Sequence, residues 1–428
     1  MSFSPTAWTS SIHPTWRRGR LKDMVARNAN GTWGTDPSGD QDDVRCIRAA
    51  DFDREHRRAR LDTAPLRQVE ASSLRRYELA PGDLVLEKSG GGDKQPVGMA
   101  VLFEGGERAI CSNFCARITP ACNIDSRFLN YVFTSTYKMG LTESSIKQAT
   151  GIQNLDTRAF FDNEWAWPPL KEQRHIADFL DSETAKLDQI SMRSIRISYL
   201  LAARKAAFMD MCFQAGIGEF LDTLPLRRVV ERWIDYRGAT PEKTVSGIPL
   251  VTAKNIKSGS IDLDASREYV AEEDYNVWMR RGLLSHGDVL LTTEAPLGEV
   301  ALVEDTKVAL AQRVILLRAD RRYCSPEWIY WWLRSPRGQF ELALRATGST
   351  ALGIKADRLR GVPIPMTDGT DSAERVRKLQ QDVTELDALE RKLERQRLLL
   401  TERRQALITA AVTGEIDVST ASGRGIEE

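Results

Sequence analysis

Residues that could do chemistry are present in this chain, but without the spacing that catalysis needs. Ser89-Gly90-Gly91-Gly92-Asp93-Lys94 is rich in glycine, yet it lacks the Lys-Ser/Thr ending and the following helix of a phosphate-binding loop. A loop approaching an anionic backbone and a plain hairpin tip both fit it. The prolines of Trp167-Pro168-Pro169-Leu170 have no amide or acid before them and no aromatic after, so nothing there orients a target amine. They read instead as an extended stop ahead of a helix, because proline breaks helices and biases its predecessor to extended geometry. His13, His56, His175 and His286 stand in unrelated contexts. Cys111, Cys115 and Cys122 form no C-x-x-C pair and have no histidine nearby, which points to buried free thiols and no metal. No catalytic constellation is expected.

The bulk numbers fit a globular chain of two domains: 428 residues, 42% apolar and 28% charged. Sixty basic residues balance sixty acidic ones, so any nucleic-acid contact must use local patches rather than a global field. The opening MSFSPTAWTS has no apolar stretch of signal-peptide length, and no run approaches the ~20 apolar residues of a membrane span. A cytoplasmic, reduced protein without membrane contact is expected.

The elements that must position any site are written twice, about 200 residues apart. Gly34-Thr35-Asp36-Pro37 is echoed by Gly238-Ala239-Thr240-Pro241. Val44 to Phe52 aligns with Ile248 to Ile256, and Pro81-Gly82-Asp83-Leu84-Val85-Leu86 with His286-Gly287-Asp288-Val289-Leu290-Leu291. Val97 to Leu102 then matches Leu297 to Leu302, and Ala149-Thr150-Gly151-Ile152 matches Ala351-Leu352-Gly353-Ile354. The Gly-Asp pairs ahead of Val/Leu runs predict a turn followed by a strand. Ser325-Pro326-Glu327 predicts a helix start, with Ser as N-cap, and Asp125 plays the same part in the first copy. The spacing of Trp328, Ile329, Trp332 and Leu333, and of Phe128, Leu129, Val132 and Phe133, predicts a buried helical face.

Each copy ends in a long helical segment. Leu379, Leu386, Leu393, Leu400 and Leu407 recur every seven residues. Leu180, Leu187, Leu201 and Phe208 keep the same frame, broken at Ser194, with Ile176, Ile190 and Ile197 beside them. Heptads of this length predict helices that pair, each on the order of 50 Å long.

The residues after the first copy carry a family resemblance. Trp167-Pro168-Pro169-Leu170-Lys171-Glu172-Gln173-Arg174-His175-Ile176-Ala177-Asp178-Phe179-Leu180-Asp181 resembles the Pro-Pro-Leu-x-Glu-Gln-x-x-Ile-x-x-Phe-Leu signature of type I restriction–modification specificity subunits. The run from Arg403 to Val418 resembles the distal conserved region of the same family, and Gly247-Ile248-Pro249 with Asn255-Ile256 fits its target-recognition domains. Two places depart from the pattern. Ile364-Pro365-Met366-Thr367-Asp368-Gly369-Thr370 lacks the Pro-Pro-Leu-x-Glu-Gln entry, which predicts a looser junction, and the first copy has Ala49-Ala50-Asp51-Phe52 in place of Ala253-Lys254-Asn255-Ile256.

The resemblance implies an α+β fold. Two similar mixed α/β target-recognition domains, residues 1–167 and 216–366, would be joined by two long helices forming an antiparallel coiled coil. Those helices would occupy 168–215 and 367–428, the latter with a C-terminal tail. It also implies a bacterial or archaeal phage-defence role in which this chain is no enzyme and binds no cofactor. S-adenosylmethionine and adenine-N6 chemistry would reside in two methyltransferase subunits docked on the helices, around Ile176, Leu180, Leu187, Ile190, Leu201, Leu379, Leu386, Leu393, Leu400 and Leu407. ATP and Mg2+ would belong to a restriction subunit where one joins. The implied substrate is double-stranded DNA with a split, asymmetric target, one half per domain and a gap set by the helices.

Base readout needs amide, guanidinium and hydroxyl groups on loops. The candidates are Arg45, Arg48, Lys88, Ser89, Lys94, Thr150, Gln153 and Asn154 in the first domain. In the second they are Lys254, Asn255, Lys257, Gln312, Arg313, Ser349, Thr350 and Lys355. Arg17, Arg18, Arg54, Arg57, Arg58, Arg75 and Arg76 make the first half locally basic and suit phosphate. Two other readings stay open: a specificity subunit of a methylation-only or other defence complex, and a coiled-coil scaffold whose domains bind protein.

Overall fold

The computed structural model describes residues 16–39, 42–92, 95–149, 152–216, 219–236, 240–348 and 352–418. In the first domain Gly82 takes φ 93 in the turn before Asp83, a left-handed value that glycine adopts without strain. The apolar run that follows becomes the strand Leu84–Glu87. It lies inside a six-stranded sheet ordered Val25–Asn30, Cys115–Pro120, Leu84–Glu87, Ala100–Leu102, Arg58–Ala59 and Phe52–Asp53. Side chains alternate across a strand, so Leu84 and Leu86 enter one core with Phe128 and Val132. Val85 enters another with Ile47, Phe52 and Cys111.

Helix α1 (Ser126–Lys138) supplies the first of those cores. Asp125 caps it, accepting from the N–H groups of Arg127 and Phe128 at 3.0 and 3.2 Å. A three-stranded sheet of Leu66–Arg67, Val44–Ile47 and Ala109–Cys111 supplies the second, its last pair parallel. Arg17–Arg20 pairs antiparallel with Glu164–Trp167 and closes the domain. Helix α2 (Leu170–Cys212) begins just past Pro168-Pro169, as the prolines predict.

The second domain repeats this plan. Val230–Asp235, Val314–Ala319, Val289–Thr293 and Leu297–Leu302 keep the order of the first four strands, and Tyr269–Val270, Ile248–Val251 and Ala309–Leu310 again form a sheet with one parallel pair. Val289 and Leu291 face one core and Leu290 the other. Helix α3 (Pro326–Arg334) is capped by Ser325, whose Oγ accepts from the Trp328 N–H at 3.2 Å. Its residues Trp328, Ile329, Trp332 and Leu333 are buried, so the aromatic stripe is core. Helix α4 (Pro336–Arg345) follows directly. The junction expected to be looser is built like the first one: Thr223–Pro225 pairs with Pro363–Pro365, and the Trp328 indole N–H donates to the Pro365 carbonyl at 2.7 Å. Helix α5 (Gly369–Thr413) completes the series.

The chain parts into two units whose boundaries fall inside the long helices, after Arg193 in α2 and after Arg395 in α5. Each unit therefore holds the start of one helix and the end of the other. In the first, Ile176, Ala177 and Leu180 share a core with Ile408, Ala411 and Val412. In the second, Val376, Leu379 and Val383 share one with Met209, Cys212 and Phe213. There Lys205 meets Asp387 at 2.5 Å, while Arg375 donates to the carbonyls of Cys212 and Gln214 at 3.2 and 2.8 Å. The two helices are antiparallel in that unit.

The heptad positions divide by burial. Ile176, Leu180, Leu187, Leu379 and Leu386 are buried within their own units, Leu201, Leu393, Leu400 and Leu407 are half-buried, and Ile190 is exposed. The first five offer little surface to a partner, and Ile176, Leu180 and Leu379 are taken up in the cores of their units. No helix among the described residues is long and apolar enough to cross a membrane.

Candidate nucleic-acid interface

Polar loops gather at the same place in both domains. In the first, Asn113 and Phe114 turn the chain between Ala109–Cys111 and Cys115–Pro120. The Phe114 carbonyl accepts the N–H groups of Lys88 and Ser89 at 2.8 and 3.1 Å, which holds the end of the central strand against this turn. The Lys88 ammonium then donates to Asn30 Oδ1 at 2.7 Å, and burial lowers its pKa. Ser89 Oγ donates to Asn154 Oδ1 at 2.5 Å, across a bridge that ties the loop to the hairpin of Ile146–Ala149 and Ile152–Leu155. Asn30, Lys88, Ser89, Phe114 and Asn154 are thus linked.

In the second domain Gln312 and Arg313 make the equivalent turn. The Arg313 carbonyl accepts the Thr293 N–H at 2.8 Å and its Oγ1–H at 3.2 Å. Gln312 Nε2 donates to Thr240 Oγ1 at 3.2 Å, and Glu294 is bridged to Gly353. Arg313 Nε lies 3.7 Å from the Glu294 carboxylate, and its guanidinium makes no hydrogen bond among the described residues. Lys355 is exposed nearby in sequence, where it precedes the short helix Ala356–Leu359. Lys254 and Lys257 are exposed at the hairpin Ile256–Ile261, whose Ser258 N–H donates to Glu299 at 3.2 Å.

Four of the expected readers are structural instead. Asn255 is 0% exposed, and its amide is consumed by Thr252, Asp262 and Ser266. Gln153 is 7% exposed, and its Oε1 accepts the Val97 N–H at 3.3 Å. Arg45 is paired with Glu107 at 2.8 Å and reaches the Ala64 carbonyl, while Arg48 is forked onto buried Asp51. A buried polar group must find its partners inside the fold, as Asn255 and Gln153 do, whereas half-buried Arg45 and Arg48 are held by their carboxylates. Lys94, Thr150, Ser349 and Thr350 lie outside the described residues.

The basic group expected to meet phosphate is similarly divided. Arg17, Arg18, Arg75 and Arg76 are exposed, but Arg57 is buried over the Tyr131 ring and Arg54 and Arg58 are paired with Glu87 and Glu104. Asn30, Phe114, Thr240 and Glu294 join these loop clusters without having been among the expected readers. Aligning the turn Asn113-Phe114 with Gln312-Arg313 is the signal that finds Phe114.

Elsewhere, Cys111 and Cys115 are buried, which pushes the Cys115 thiol up to about 12, whereas Cys122 is exposed rather than buried. Among the described residues no group of three or more His, Cys, Asp and Glu is placed to hold a metal.

Comparison with known proteins fits this arrangement. The chain is 22% identical over 290 residues to the type I restriction enzyme EcoBI specificity subunit of Escherichia coli, covering 62% of this chain and 61% of that one. It is 22% identical over 357 residues to the EcoKI specificity subunit of Escherichia coli strain K12, covering 79% and 76%. Its homologues are type I specificity subunits. The match thus spans less than two thirds of the EcoBI subunit. Among solved structures, a chain from a study of complex assembly and conformational transition of the type I R-M system superposes with a TM-score of 0.75 at 15% identity, covering 95% of this chain and 99% of that one. The HsdS subunit from Thermoanaerobacter tengcongensis gives 0.55 at 15% identity, covering 95% and 98%. These likenesses fix the fold: two similar mixed domains and two long helices. No family model matches the chain.

Proposed function

We propose that the chain is the non-catalytic specificity subunit of a type I restriction–modification complex, reading a bipartite, asymmetric double-stranded DNA target with one domain per half. The observation that carries this reading is the repeat of one loop cluster on two copies of one fold, with different side chains in each. Base edges in the major groove differ in donors, acceptors and the thymine methyl, so two diverged clusters read two different sequences. Homology to specificity subunits supports the same class.

The long helices offer surface for partners. Ile190, Met192, Leu398 and Leu399 are exposed in the first unit, and Ile195, Tyr199, Leu200 and Leu389 in the second. Exposed apolar side chains of this kind suit protein docking, here of two methyltransferase subunits. S-adenosylmethionine and the adenine-N6 transfer belong to those partners, as do ATP and Mg2+ where a restriction subunit joins. The assembly would work in the cytoplasm.

Methylome sequencing of cells expressing the methyltransferase with and without this chain tests the proposal. A split, asymmetric adenine-methylated motif should appear only when the chain is present. Methylation that persists unchanged in its absence overturns the reading and favours a protein-binding scaffold.

A further inference from the structure

The turns at Asn113-Phe114 and Gln312-Arg313 share their anchoring main-chain bonds and differ in local conformation and chemistry. Each turn joins a strand of the small sheet to a strand of the large one, and each second carbonyl anchors the end of the central strand. The N–H of Ser112 bonds the Ile47 carbonyl at 2.9 Å, and the N–H of Ala311 bonds that of Val251 at the same distance. The main chain is thus fixed by matching bonds in both domains. What it presents is not fixed: Phe114 is 51% exposed, and the Arg313 side chain is 50% exposed.

Three further observations bear on the pair. Arg313 is held at φ 76, a left-handed value that costs a non-glycine residue free energy. Its guanidinium is left without a hydrogen bond among the described residues, beside a carboxylate 3.7 Å away. Phe114 carries an exposed apolar ring on the turn whose carbonyl holds the Lys88 and Ser89 N–H groups. Neither side chain serves its own core. Equivalently anchored turns carrying divergent, outward side chains are the arrangement a specificity position requires.

Arginine pairs with the O6 and N7 acceptors of guanine, and phenylalanine makes apolar contact with the C5-methyl of thymine. We propose that this turn position selects one base in each half-site: Arg313 a guanine in the half read by the second domain, and Phe114 a thymine in the half read by the first. The inference rests on the reading of the chain as a DNA specificity subunit.

The test uses the full chain in complex with its methyltransferase partners and duplexes carrying the motif found by methylome sequencing. Replacing the selected guanine by 7-deazaguanine removes its N7 acceptor and should weaken binding about tenfold. Replacing the selected thymine by uracil removes one methyl and should weaken it about fourfold. Arg313→Ala should be indifferent to the first replacement and Phe114→Ala to the second. In cells, each variant should relax the motif at one position in one half and leave the other half intact.

Variant motifs identical to the wild-type motif would overturn the assignment while leaving the specificity reading in place. So would a half-site lacking the expected base, or analogues that weaken wild type and variant equally. If the wild-type chain directs no methylation at all, the underlying reading fails and takes the assignment with it. A variant that misfolds loses both halves at once, and the base analogues on the unaltered chain then decide.

Discussion

Arg48-Ala49-Ala50-Asp51 in the first domain and Thr252-Ala253-Lys254-Asn255 in the second form the same turn by different means. In each, the fourth N–H bonds the first carbonyl, at 2.9 and 3.0 Å, and the fourth side chain accepts the first N–H, at 2.9 Å in both. Asp51 and Asn255 are both buried. The remaining bonding capacity separates them. Asn255 gives its two amide hydrogens to the carbonyls of Asp262 and Ser266 at 2.8 and 3.0 Å. Asp51 has no donor and carries a charge, which the Arg48 guanidinium takes up through bonds of 2.8 and 2.9 Å. Divergence has preserved the turn and exchanged a neutral solution for an ionic one, as it must when a buried charge has to be paired.

Exchanging the two residues should break the comparison most sharply. Asn255→Asp sets a carboxylate against the two carbonyl oxygens that its amide now serves, without the guanidinium fork that Asp51 has, and should destabilise the second unit by about 3–5 kcal/mol. Denaturant unfolding with hydrogen exchange read unit by unit checks this, and unchanged protection in the second unit would refute it. Asp51→Asn should cost less, about 1–3 kcal/mol, because Arg48 is only half-buried and can turn toward water.

Where the two copies use one device, they should respond alike. Asp83 accepts the Ala80 N–H at 2.7 Å and pairs with Arg117, while Asp288 accepts the Ser285 N–H at 2.7 Å and is forked by Arg318. Both carboxylates are buried. Asp83→Asn and Asp288→Asn should each cost about 3 kcal/mol, each in its own unit. A loss in one unit only would show that the equivalence of the copies stops at the backbone.

Acid should separate the copies again. Burial alone would push the Asp51 carboxyl up, but the Arg48 guanidinium and main-chain N–H outweigh it and hold it below the usual carboxylate range. A depressed folded pKa stabilises the fold above the unfolded value of about 3.9, and that contribution is lost as pH falls through the folded value. Exchange at the Arg48 amide should therefore accelerate below about pH 4, relative to its intrinsic rate, while the Thr252 amide keeps its protection. Equal acceleration at both would remove the ionic account of the first turn.

These contrasts show what a single sequence can carry. Gly82-Asp83 and Gly287-Asp288, the Asp125 and Ser325 caps and the frame through Leu180 and Leu379 were all legible, because turn chemistry, capping and periodicity act locally. Asn255 and Gln153 were misread for the opposite reason. Whether an amide in a loop faces water or folds back depends on a bond three residues away, or on a main-chain N–H 56 residues distant in the case of Gln153 and Val97. Phe114 stayed hidden because an apolar residue in a loop does not suggest readout until its backbone is matched to that of Arg313.

The smallest expected difference lies in the helices. Asp188 of α2 meets Arg404 of α5 through two bonds of 2.7 and 2.9 Å in the first unit, and Asp387 of α5 meets Lys205 of α2 through one of 2.5 Å in the second. The duplication thus places each acid near the middle of its own helix and each base toward the end of the other. The arginine pair is bidentate and the more buried of the two, with side-chain exposures of 15% and 22% against 22% and 36%. Planar two-point bonding loses less rotamer entropy per bond than a flexible ammonium does, and burial limits screening by salt. Arg404→Ala should therefore destabilise its unit by about 1.5–3 kcal/mol, with little salt dependence. Lys205→Ala should cost only about 0.5–1 kcal/mol, and the difference should fade at high salt. Arg404→Lys sharpens the point: if geometry rather than charge is what counts, the lysine should recover less than half of the loss. Full recovery would mean that the two pairs are energetically alike and that their geometric difference carries no weight.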